Sequence, residues 1–379
     1  MDFTLSDEHQ MFQRAIRDFA EKEIGPQVEE AEEKEEFPVE LFPKMGKLGY
    51  LGIRYPEKYG GPGFDKISEC LYIEELNRVC AGIASGLMVQ SGLATEAIFY
   101  HGTEEQKQRL LVPAIKGEKI AALGLTEPNA GSDISSIQTT ARKDGDSYIV
   151  NGSKIFITNG TIADFVLVAA YTDKSRGTKG ISLLVLERGT PGFTIARKLK
   201  KLGNRSSDTG ELVFEDCRIP KENLIGEENR GFGYIVGALK SGRIIYGARS
   251  VGVAQAAFEA ALQYAKERVQ FGQPIGKFQA NQFKLAKMAT AIEAARTFTF
   301  RAAWMLDQGI ECMKEASMVK LFATEMVQWV TAEAVQLHGG YGYMMEYPVQ
   351  RYFRDAKMFT ITEGTSEIQQ VVIARELGL

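Results

Sequence analysis

Ser147-Tyr148-Ile149-Val150-Asn151-Gly152-Ser153-Lys154-Ile155-Phe156-Ile157-Thr158 lies near the middle of a chain of 379 residues. Two runs with strand character, residues 147–150 and 154–158, flank Asn151-Gly152, a pair typical of the tight turn of a β-hairpin. We therefore predict a hairpin that reverses at Asn151-Gly152. Because the sequence on both sides of this region has helical periodicity, we expect a β-domain between two helical regions.

Further strand-like runs surround the hairpin at short spacing, separated by turn residues. They are residues 166–171, 181–186, 193–196 and 211–214. This spacing predicts a small antiparallel sheet or barrel that ends near Gly226. The expected fold class is therefore mostly α with a central β-domain.

The two flanking regions carry apolar stripes at helical spacing. Ser6 is a predicted helix N-cap, and apolar residues recur after it at i, i+3, i+4 and i+7. These residues are Phe12, Ala15, Ile16 and Phe19. A similar stripe in the last third is predicted to be core, and long helices there indicate an up-and-down bundle. That stripe is Phe322, Met326, Trp329 and Val330. We expect domains at residues 1–119, 120–227 and 228–379.

The composition excludes several classes of protein. With 45 basic and 49 acidic side chains, the net charge of -4 favours neither a nucleic-acid partner nor a membrane surface. Cysteines without CxxC spacing and scattered histidines predict buried thiols and no metal site. They are Cys70, Cys80, Cys217, Cys312, His9, His101 and His338. The first residues show no secretion signal and no long apolar run follows, so we expect a cytoplasmic protein.

A carboxylate precedes a predicted helix start in Thr362-Glu363-Gly364-Thr365-Ser366-Glu367. Glycine permits a tight turn, and Thr365 and Ser366 are good helix starters. Glu363 would then lie on a short loop beside a helix N-terminus, a suitable place for a base that reaches a bound substrate. An ordinary helix cap with an acidic neighbour is the simpler alternative for this motif taken alone.

Three further segments combine glycine with polar or aromatic residues. Residues 123–133 present a Pro- and Gly-containing loop after a strand, typical of contact with a flat or anionic ligand, although a plain turn fits equally. Arg268-Val269-Gln270-Phe271-Gly272 either ends a helix or directs a charge at a pyrophosphate. Residues 336–343, with His338 among three glycines, permit close backbone approach or simply terminate a helix.

Taken together and in order, these motifs resemble those of acyl-CoA dehydrogenases over essentially the whole chain. The set also includes Thr126-Glu127-Pro128 and Arg354-Asp355-Ala356-Lys357. The resemblance implies an N-terminal helical domain, a middle antiparallel β-barrel and a C-terminal four-helix bundle. It also implies a homotetramer with one FAD per subunit, an acyl-CoA substrate and an electron-transfer flavoprotein as electron acceptor.

The resemblance assigns roles where residues match. Glu363 would be the catalytic base. Residues matched to the flavin of the same subunit are Leu125, Thr126, Gly131, Ser132, Phe156 and Thr158. Residues matched to the FAD of a neighbouring subunit are Arg268, Phe271, Gln279, Gln336 and Gly340, and Thr365 and Glu367 would touch the same cofactor. Residues matched to substrate contacts are Ser132, Arg243, Gly364 and Arg375.

The implied reaction is removal of the α-proton by Glu363 with transfer of the β-hydride to FAD. Some members place the base on the helix position matched by Gly242, which cannot serve here. Thr362 stands where tyrosine is common, which would leave room for a branched or alicyclic acyl group. Ala84 stands where glutaryl-CoA members carry arginine, so a dicarboxylic substrate is not expected. Lys240 stands where an acidic residue is usual, which leaves the pantetheine contact open.

The predicted function is FAD-dependent α,β-dehydrogenation of a short, branched or alicyclic monocarboxylic acyl-CoA. Three alternatives stay open. One is an acyl-CoA oxidase or flavin monooxygenase on the same fold. Another is a non-catalytic flavin- or CoA-binding module, and the third is a purely structural helical protein. Glu363 argues against the monooxygenase and against the binding module.

Overall fold

The computed structural model describes residues 4–379, and its first region is helical. The helices are Asp7–Phe19 (α1), Val28–Lys34 (α2), Leu41–Lys47 (α3), Lys66–Val79 (α4), Ala81–Met88 (α5), Glu96–His101 (α6), Glu104–Gln106 (α7) and Val112–Ile115 (α8). The predicted cap is confirmed, because the Ser6 side chain accepts a hydrogen bond from the backbone N–H of His9 at 3.2 Å. The prediction that the chain lacks a secretion signal rests on its first residues, and residues 1–3 lie outside the described range.

An eight-stranded sheet follows the first helices. Its strands are Ala121–Gly124 (β1), Thr140–Asp144 (β2), Ser147–Thr158 (β3), Phe165–Tyr171 (β4), Ile181–Glu187 (β5), Phe193–Lys198 (β6), Thr209–Pro220 (β7) and Leu224–Ile225 (β8). The four strand-like runs of the sequence are confirmed as β4, β5, β6 and part of β7. Hydrogen bonds join the strands in the order β6-β7-β3-β2-β4-β5-β8, with β1 paired to β4.

The prediction of an antiparallel barrel needs correction. β1 runs parallel to β4, and β2 joins β4 in parallel through Thr140 and Tyr171, so the sheet is mixed. The order of strands has two ends, β6 and β8, that do not pair with each other within residues 4–379. β1 precedes the β2–β3 hairpin in sequence and enters the sheet beside β4, and this path of the chain gives the parallel pairings. The periodicity of the sequence alone does not indicate such a path.

The prediction of a hairpin turn at Asn151-Gly152 is wrong. β3 is continuous over 12 residues, and the chain reverses earlier, at Gly145 and Asp146 between β2 and β3. Asn151-Gly152 instead forms an irregularity in the pairing with β7. Gly152 has a φ of 146°, and a Cβ there would lie 2.4 Å from Thr139 Oγ1, so glycine is needed for close approach rather than for a turn.

The last region contains three long helices and two short ones. They and a small hairpin are Gly231–Glu267 (α9), Val269–Gln270 (β9), Gln273–Pro274 (β10), Gln279–Asp307 (α10), Met313–His338 (α11), Val349–Ala356 (α12) and Ser366–Glu376 (α13). α9 packs against α11 and α10 and also against α4 of the first region. The domain boundaries expected from the sequence stay a prediction.

The apolar stripe predicted on the third long helix is core only in part. Met326 and Val330 of α11 are buried, whereas Phe322 and Trp329 are 43% and 37% exposed. The four cysteines are free and buried, as predicted. Across residues 4–379, no helix combines the length and apolar character needed to cross a membrane. Within the same range, no three His, Cys, Asp or Glu side chains are grouped so as to hold a metal ion.

Candidate active site

Glu363 lies on the loop that leads into α13. Its φ is 57° and that of Gly364 is 86°, so the chain turns through two left-handed residues before the helix begins. Thr365 is the N-cap of α13, and its hydroxyl accepts a hydrogen bond from the backbone N–H of Ile368 at 3.4 Å. The turn and the cap predicted from this motif are therefore both present.

The Glu363 carboxylate is directed at α9. A Cβ on Gly242 would lie 2.9 Å from Glu363 Oε2 and 3.8 Å from the side chain of Leu93. Oε2 is buried and has no hydrogen-bond partner within residues 4–379. Because Gly242 has no side chain, the carboxylate reaches the surface of the helix.

Burial determines the acidity of this carboxyl group. It raises the pKa of Glu363 to about 7, while the positive charges of Arg243 and Lys320 act in the opposite direction. The usual pKa of a glutamate carboxyl group is about 4.3. Glu363 is therefore a stronger base than an exposed glutamate and still loses its proton near neutral pH.

Two buried side chains hold the loop in place. Lys320 of α11 is fully buried and donates a hydrogen bond from Nζ to the Gly364 carbonyl at 2.7 Å. Gln369 of α13 donates from Nε2 to the carbonyls of Glu363 and Gly364 at 3.0 and 2.9 Å. Burial lowers the pKa of Lys320 to about 8. No sequence pattern distinguishes Lys320 or Gln369, because a lysine and a glutamine inside amphipathic helices resemble ordinary surface residues.

The Glu363 main chain also offers a free donor. Its backbone N–H donates no hydrogen bond to any acceptor within the part of the chain that the structure describes. A free N–H beside a buried, unpartnered carboxylate can bind a substrate oxygen next to the atom that gives up a proton.

The structure brings Leu125, Thr126, Phe156 and Thr158 together at one edge of the sheet. The backbone N–H of Ile155 donates to the Thr126 carbonyl at 2.9 Å, which joins the two segments. Phe156 has a φ of 62°, and its side chain is 66% exposed. Leu125 and Leu93 both pack against the apolar cluster that includes Ala121, Phe165 and Val185.

A buried ion pair supports this edge from behind. Lys154 Nζ lies 2.7 Å from Glu127 Oε1 and donates to the Leu125 carbonyl at 3.0 Å. Glu127 also accepts a hydrogen bond from the backbone N–H of Thr139 at 3.0 Å. Gly131 and Ser132 follow on the exposed part of this loop. The ion pair therefore fixes the main chain from which the predicted flavin contacts project.

The second group of predicted residues lies at the far end of α9. Phe271 and Gly272 have φ values of 53° and 77° and form the turn between β9 and β10, where Phe271 is 95% exposed. The Arg268 guanidinium lies 5.4 Å from the centroid of the Tyr341 ring. Gln279, Gln336 and Gly340 are exposed as well.

The two groups are far apart within one chain. Gly242 and Glu267 are separated by 25 residues of α9, which at about 1.5 Å per residue amounts to about 38 Å. One chain therefore does not direct Glu363 and Arg268 at the same small ligand.

Three further predicted site residues, Arg243 of α9 and Glu367 and Arg375 of α13, differ in exposure. Arg243 is buried, and its Nη1 donates to Ser317 Oγ at 2.9 Å while its Nε has no partner within residues 4–379. Arg375 is exposed near the end of α13, and Glu367 is exposed in the first turn. Arg243 is thus held in the interior of the protein against α11, whereas Arg375 lies at the molecular surface.

A polar cavity next to this site was not found from the sequence. Glu96 and Arg54 line it, and burial raises the pKa of Glu96 to about 7. A glutamate in the first turn of a helix and an arginine in a loop are unremarkable in sequence, so no local pattern distinguishes them.

Backbone strain falls on the predicted site. Among residues 4–379, eight non-glycine residues have positive φ. Four of them are Asn or Asp, which tolerate this conformation. Of the other four, Phe156, Phe271 and Glu363 were all selected from the sequence as site residues, and Glu35 was not. Conformations of this kind concentrate at functional sites.

Comparison with known proteins gives matches along the chain. Residues 6–118, 122–217 and 229–378 match the N-terminal, middle and C-terminal domains of acyl-CoA dehydrogenases. A short-chain specific acyl-CoA dehydrogenase of Clostridium acetobutylicum is 47% identical over 377 residues, with 100% of both chains covered.

Solved structures with the same fold are also similar in sequence. Butyryl-CoA dehydrogenase from Megasphaera elsdenii superposes with a TM-score of 0.97 at 46% identity, covering 100% of each chain. A chain solved in work on the electron transferring flavoprotein of Acidaminococcus fermentans superposes with a TM-score of 0.97 at 47% identity. It covers 100% of this chain and 99% of that one.

Proposed function

Because the chain belongs to the acyl-CoA dehydrogenase family of FAD flavoproteins, we propose that it oxidises a short, branched or alicyclic monocarboxylic acyl-CoA to the 2-enoyl-CoA. Glu363 is the base that removes the α-proton. The observation that carries this proposal is the buried, unpartnered Oε2 of Glu363 against Gly242. The short acyl length is supported by similarity to the short-chain and butyryl-CoA enzymes.

The α-proton of a thioester is weakly acidic, so the site must strengthen the base and stabilise the enolate. Burial strengthens the base by raising the pKa of Glu363 to about 7. The free backbone N–H of Glu363 donates to the thioester oxygen and stabilises its developing charge. Lys320 and Gln369 hold the loop carbonyls, so that carboxylate and N–H keep their relative position. FAD, when bound, supplies the acceptor for the hydride that leaves the β-carbon.

The residues at the edge of the sheet fit a flavin. Phe156 offers an exposed aromatic face beside the main chain of Leu125 and Thr126, which the Lys154–Glu127 ion pair fixes. The hydroxyl of Ser366 at the start of α13 is buried and has no partner within residues 4–379. Such an atom fits a polar cofactor group at the helix N-terminus. We assign Leu125, Thr126, Gly131, Ser132, Phe156 and Thr158 to this cofactor. Thr365 and Glu367, which the resemblance matched to the FAD of a neighbouring subunit, are assigned to it as well, because α13 begins beside Glu363 and far from Arg268.

The far end of α9 serves the FAD of a neighbouring subunit. Arg268, Phe271, Gln279, Gln336 and Gly340 are partly or fully exposed there, about 38 Å along α9 from Glu363. A homotetramer brings such a group to another subunit's site. Arg243, Ser132 and Gly364 contact the substrate, and Arg375 assists the nucleotide end. Similarity to a chain solved in work on an electron transferring flavoprotein supports such a protein as the acceptor.

The residue before the base supports a branched or alicyclic acyl group. The Thr362 hydroxyl donates to the Tyr246 hydroxyl at 2.7 Å, and both groups lie beside the Glu363 loop. A threonine leaves more space next to the substrate than an aromatic ring in the same place.

Anaerobic titration of the purified holoenzyme with acyl-CoA thioesters tests the proposal. Linear C4 to C8, branched, cyclohexanecarboxyl and glutaryl thioesters form the panel, and loss of flavin absorbance is the readout. We expect short, branched or alicyclic thioesters to reduce the flavin and glutaryl-CoA not to do so. A flavin that no acyl-CoA reduces contradicts the proposal. Peroxide release without an acceptor protein indicates an oxidase instead.

A further inference from the structure

Tyr246 of α9 connects this helix to the loop that carries the base. It lies one helical turn after Gly242, and residues four apart on a helix share a face, so Tyr246 also faces the Glu363 loop. Its side chain is buried, and its hydroxyl accepts a hydrogen bond from the Thr362 hydroxyl, with the two oxygens 2.7 Å apart. Thr362 immediately precedes Glu363. A second element of the chain therefore holds the residue before the base.

A buried guanidinium fixes the Tyr246 hydroxyl from the other side. Arg249 Nη1 donates to it at 3.3 Å, so both lone pairs of the hydroxyl oxygen are used. Arg249 is fully buried, and its guanidinium lies 4.3 Å from the centroid of the Phe359 ring. Its other hydrogen bonds go to α4, α5 and the loop between β6 and β7, at Asn77, Ala81, Ser85 and Asn204. Because a buried guanidinium is costly without its partners, this network keeps the hydroxyl in one place.

The conformation of the base has to be enforced by its surroundings. The φ of 57° at Glu363 is unfavourable for a residue with a side chain and persists only where neighbouring groups impose it. On the C-terminal side, Lys320 and Gln369 hold the loop carbonyls from α11 and α13. A comparable hold is needed on the N-terminal side.

That hold comes through Thr362. Its backbone N–H donates to the Met358 carbonyl at 3.1 Å, and its hydroxyl lies 3.2 Å from the same carbonyl. Met358 precedes Thr362 by four residues in the same segment, so it moves with the loop. Within residues 4–379, Tyr246 is the hydrogen-bond partner of Thr362 that lies on a different helix.

We infer that Tyr246 is a positioning residue for the base, because its hydroxyl holds Thr362 and thereby keeps the Glu363 carboxylate in place. This inference rests on the proposed function. The Tyr246 hydroxyl forms no hydrogen bond with the carboxylate within residues 4–379, so it acts through the main chain. Small displacements of a catalytic group are costly in rate, so loss of this hydroxyl slows removal of the α-proton.

Tyr246→Phe in the FAD-loaded protein tests the inference. It removes the hydroxyl and keeps the ring, which packs edge-on against Phe359. The probe is the acyl-CoA thioester that reduces the wild-type flavin fastest. We expect kcat and the rate of flavin reduction at saturating thioester to fall about tenfold, and KM to change by less than about twofold. A KM that rises more than kcat falls indicates a direct contact with the substrate and overturns the inference.

Thr362→Val removes the same hydrogen bond from its other end and has nearly the same shape. We expect the same loss of kcat, also where Tyr246→Phe does not fold. The double variant should lose no more than about twofold beyond either single variant, since both changes remove one interaction. Losses that multiply in the double variant overturn the inference.

Tyr59→Phe is the matched control. Tyr59 is also a buried tyrosine, its hydroxyl donates to Glu104 Oε2 at 2.9 Å, and its ring packs against Phe99 in the first region. We expect kcat within about twofold of the wild type. An equal fall in Tyr59→Phe and Tyr246→Phe would mean that loss of any buried hydroxyl lowers activity, which overturns the inference.

The wild-type protein separates failure of the inference from failure of the proposed function. A wild-type flavin that no acyl-CoA thioester reduces overturns both. Normal reduction in the wild type, with Tyr246→Phe and Thr362→Val within about twofold of it, overturns the inference alone.

Discussion

The two ends of α9 differ in how far the rest of the chain surrounds them and in the role proposed for each. At Gly242 the helix meets the Glu363 carboxylate, whose Oε2 is buried and has no hydrogen-bond partner within residues 4–379. At Glu267 the helix ends beside Arg268 and a phenylalanine that is 95% exposed, with little of its own chain around it. Under the proposed function, the first end contains the groups for proton transfer, whereas the second contacts the FAD of another subunit. On that proposal, the same helix serves the active site of its own subunit at one end and that of a neighbouring subunit at the other.

Replacing the carboxylate removes the chemistry of the first end and has the largest expected effect. Glu363→Gln keeps the size of the side chain but cannot accept the α-proton, so we expect kcat to fall by about 10³-fold or more. The variant still folds and binds FAD, as measured by thermal unfolding and by the ratio of flavin to protein absorbance. Undiminished turnover would assign the base to another residue.

Adding one methyl group to α9 tests the geometry of the same end. Gly242→Ala places a Cβ 2.9 Å from Glu363 Oε2, which displaces the carboxylate. We expect kcat to fall by about 10²-fold, because small misplacements of a catalytic group are costly. Stability should not fall, since alanine is the better helix former.

Gly237→Ala is the matched control for this change. It lies on the same helix, and a Cβ there meets nothing within 4 Å. Turnover that falls equally in both variants would mean that the helix, and not the contact with Glu363, causes the loss.

A change at the other end of α9 should weaken the binding of FAD without altering the base, Glu363. Arg268→Gln removes one charged hydrogen-bond donor, so we expect the Kd for FAD to rise by about tenfold. Lys266→Gln, an exposed residue of the last turn of α9, is the control. Equilibrium binding of FAD to apoprotein measures both.

Mixing variants sharpens the comparison between the ends. When Arg268→Gln and Glu363→Gln chains are refolded together, some sites combine an intact Glu363 with an intact Arg268 from another chain. We expect activity at limiting FAD above that of either variant alone. Activity that equals the sum of the separate variants would mean that both residues serve the same chain's cofactor.

The smallest expected effect concerns the charge behind the loop. Glu363 acts deprotonated and its pKa is about 7, so kcat/KM rises with pH through this range. Lys320 lowers that pKa and is itself charged below about pH 8. Lys320→Met therefore moves the acid limb to higher pH, with activity lost at about pH 6 and largely recovered at about pH 8.5.

Lys284→Met controls for the general effect of removing a lysine, because that side chain pairs with Glu333 away from the site. Arg243 and Glu96, the other charged groups that influence Glu363, are unchanged in both variants. An acid limb that does not move would exclude an electrostatic role for Lys320.

Local signals predicted the elements of this fold better than their connections. Ser6 caps α1, and the strand-like runs became strands, because caps and alternation act over a few residues. The hairpin at Asn151-Gly152 was wrong, since the close approach of Thr139 and not a turn requires that glycine. Which strands run parallel, as β1 and β4 do, depends on the path of the chain between them and has no local signal.

The candidate site likewise contains residues that have a local sequence signal and residues that have none. Glu363 and Gly364 were identified because a base, a glycine and a helix cap adjoin in sequence. The absence of a side chain at Gly242 agreed with that base. Lys320 and Glu96 act through partners 44 and 267 residues away in sequence. Such partners meet only after folding, so no local pattern in the sequence distinguishes these residues.

The backbone at Glu363 has a consequence for how this protein can be improved. A glutamate held at a φ of 57° sits in a conformation that only glycine adopts without cost. Selection for thermal stability alone would favour glycine at position 363, because glycine adopts this φ without strain. The resulting protein would be more stable but catalytically inactive. Screens for robust variants therefore need an activity filter at this loop, because resistance to unfolding and catalytic power favour different residues at one position.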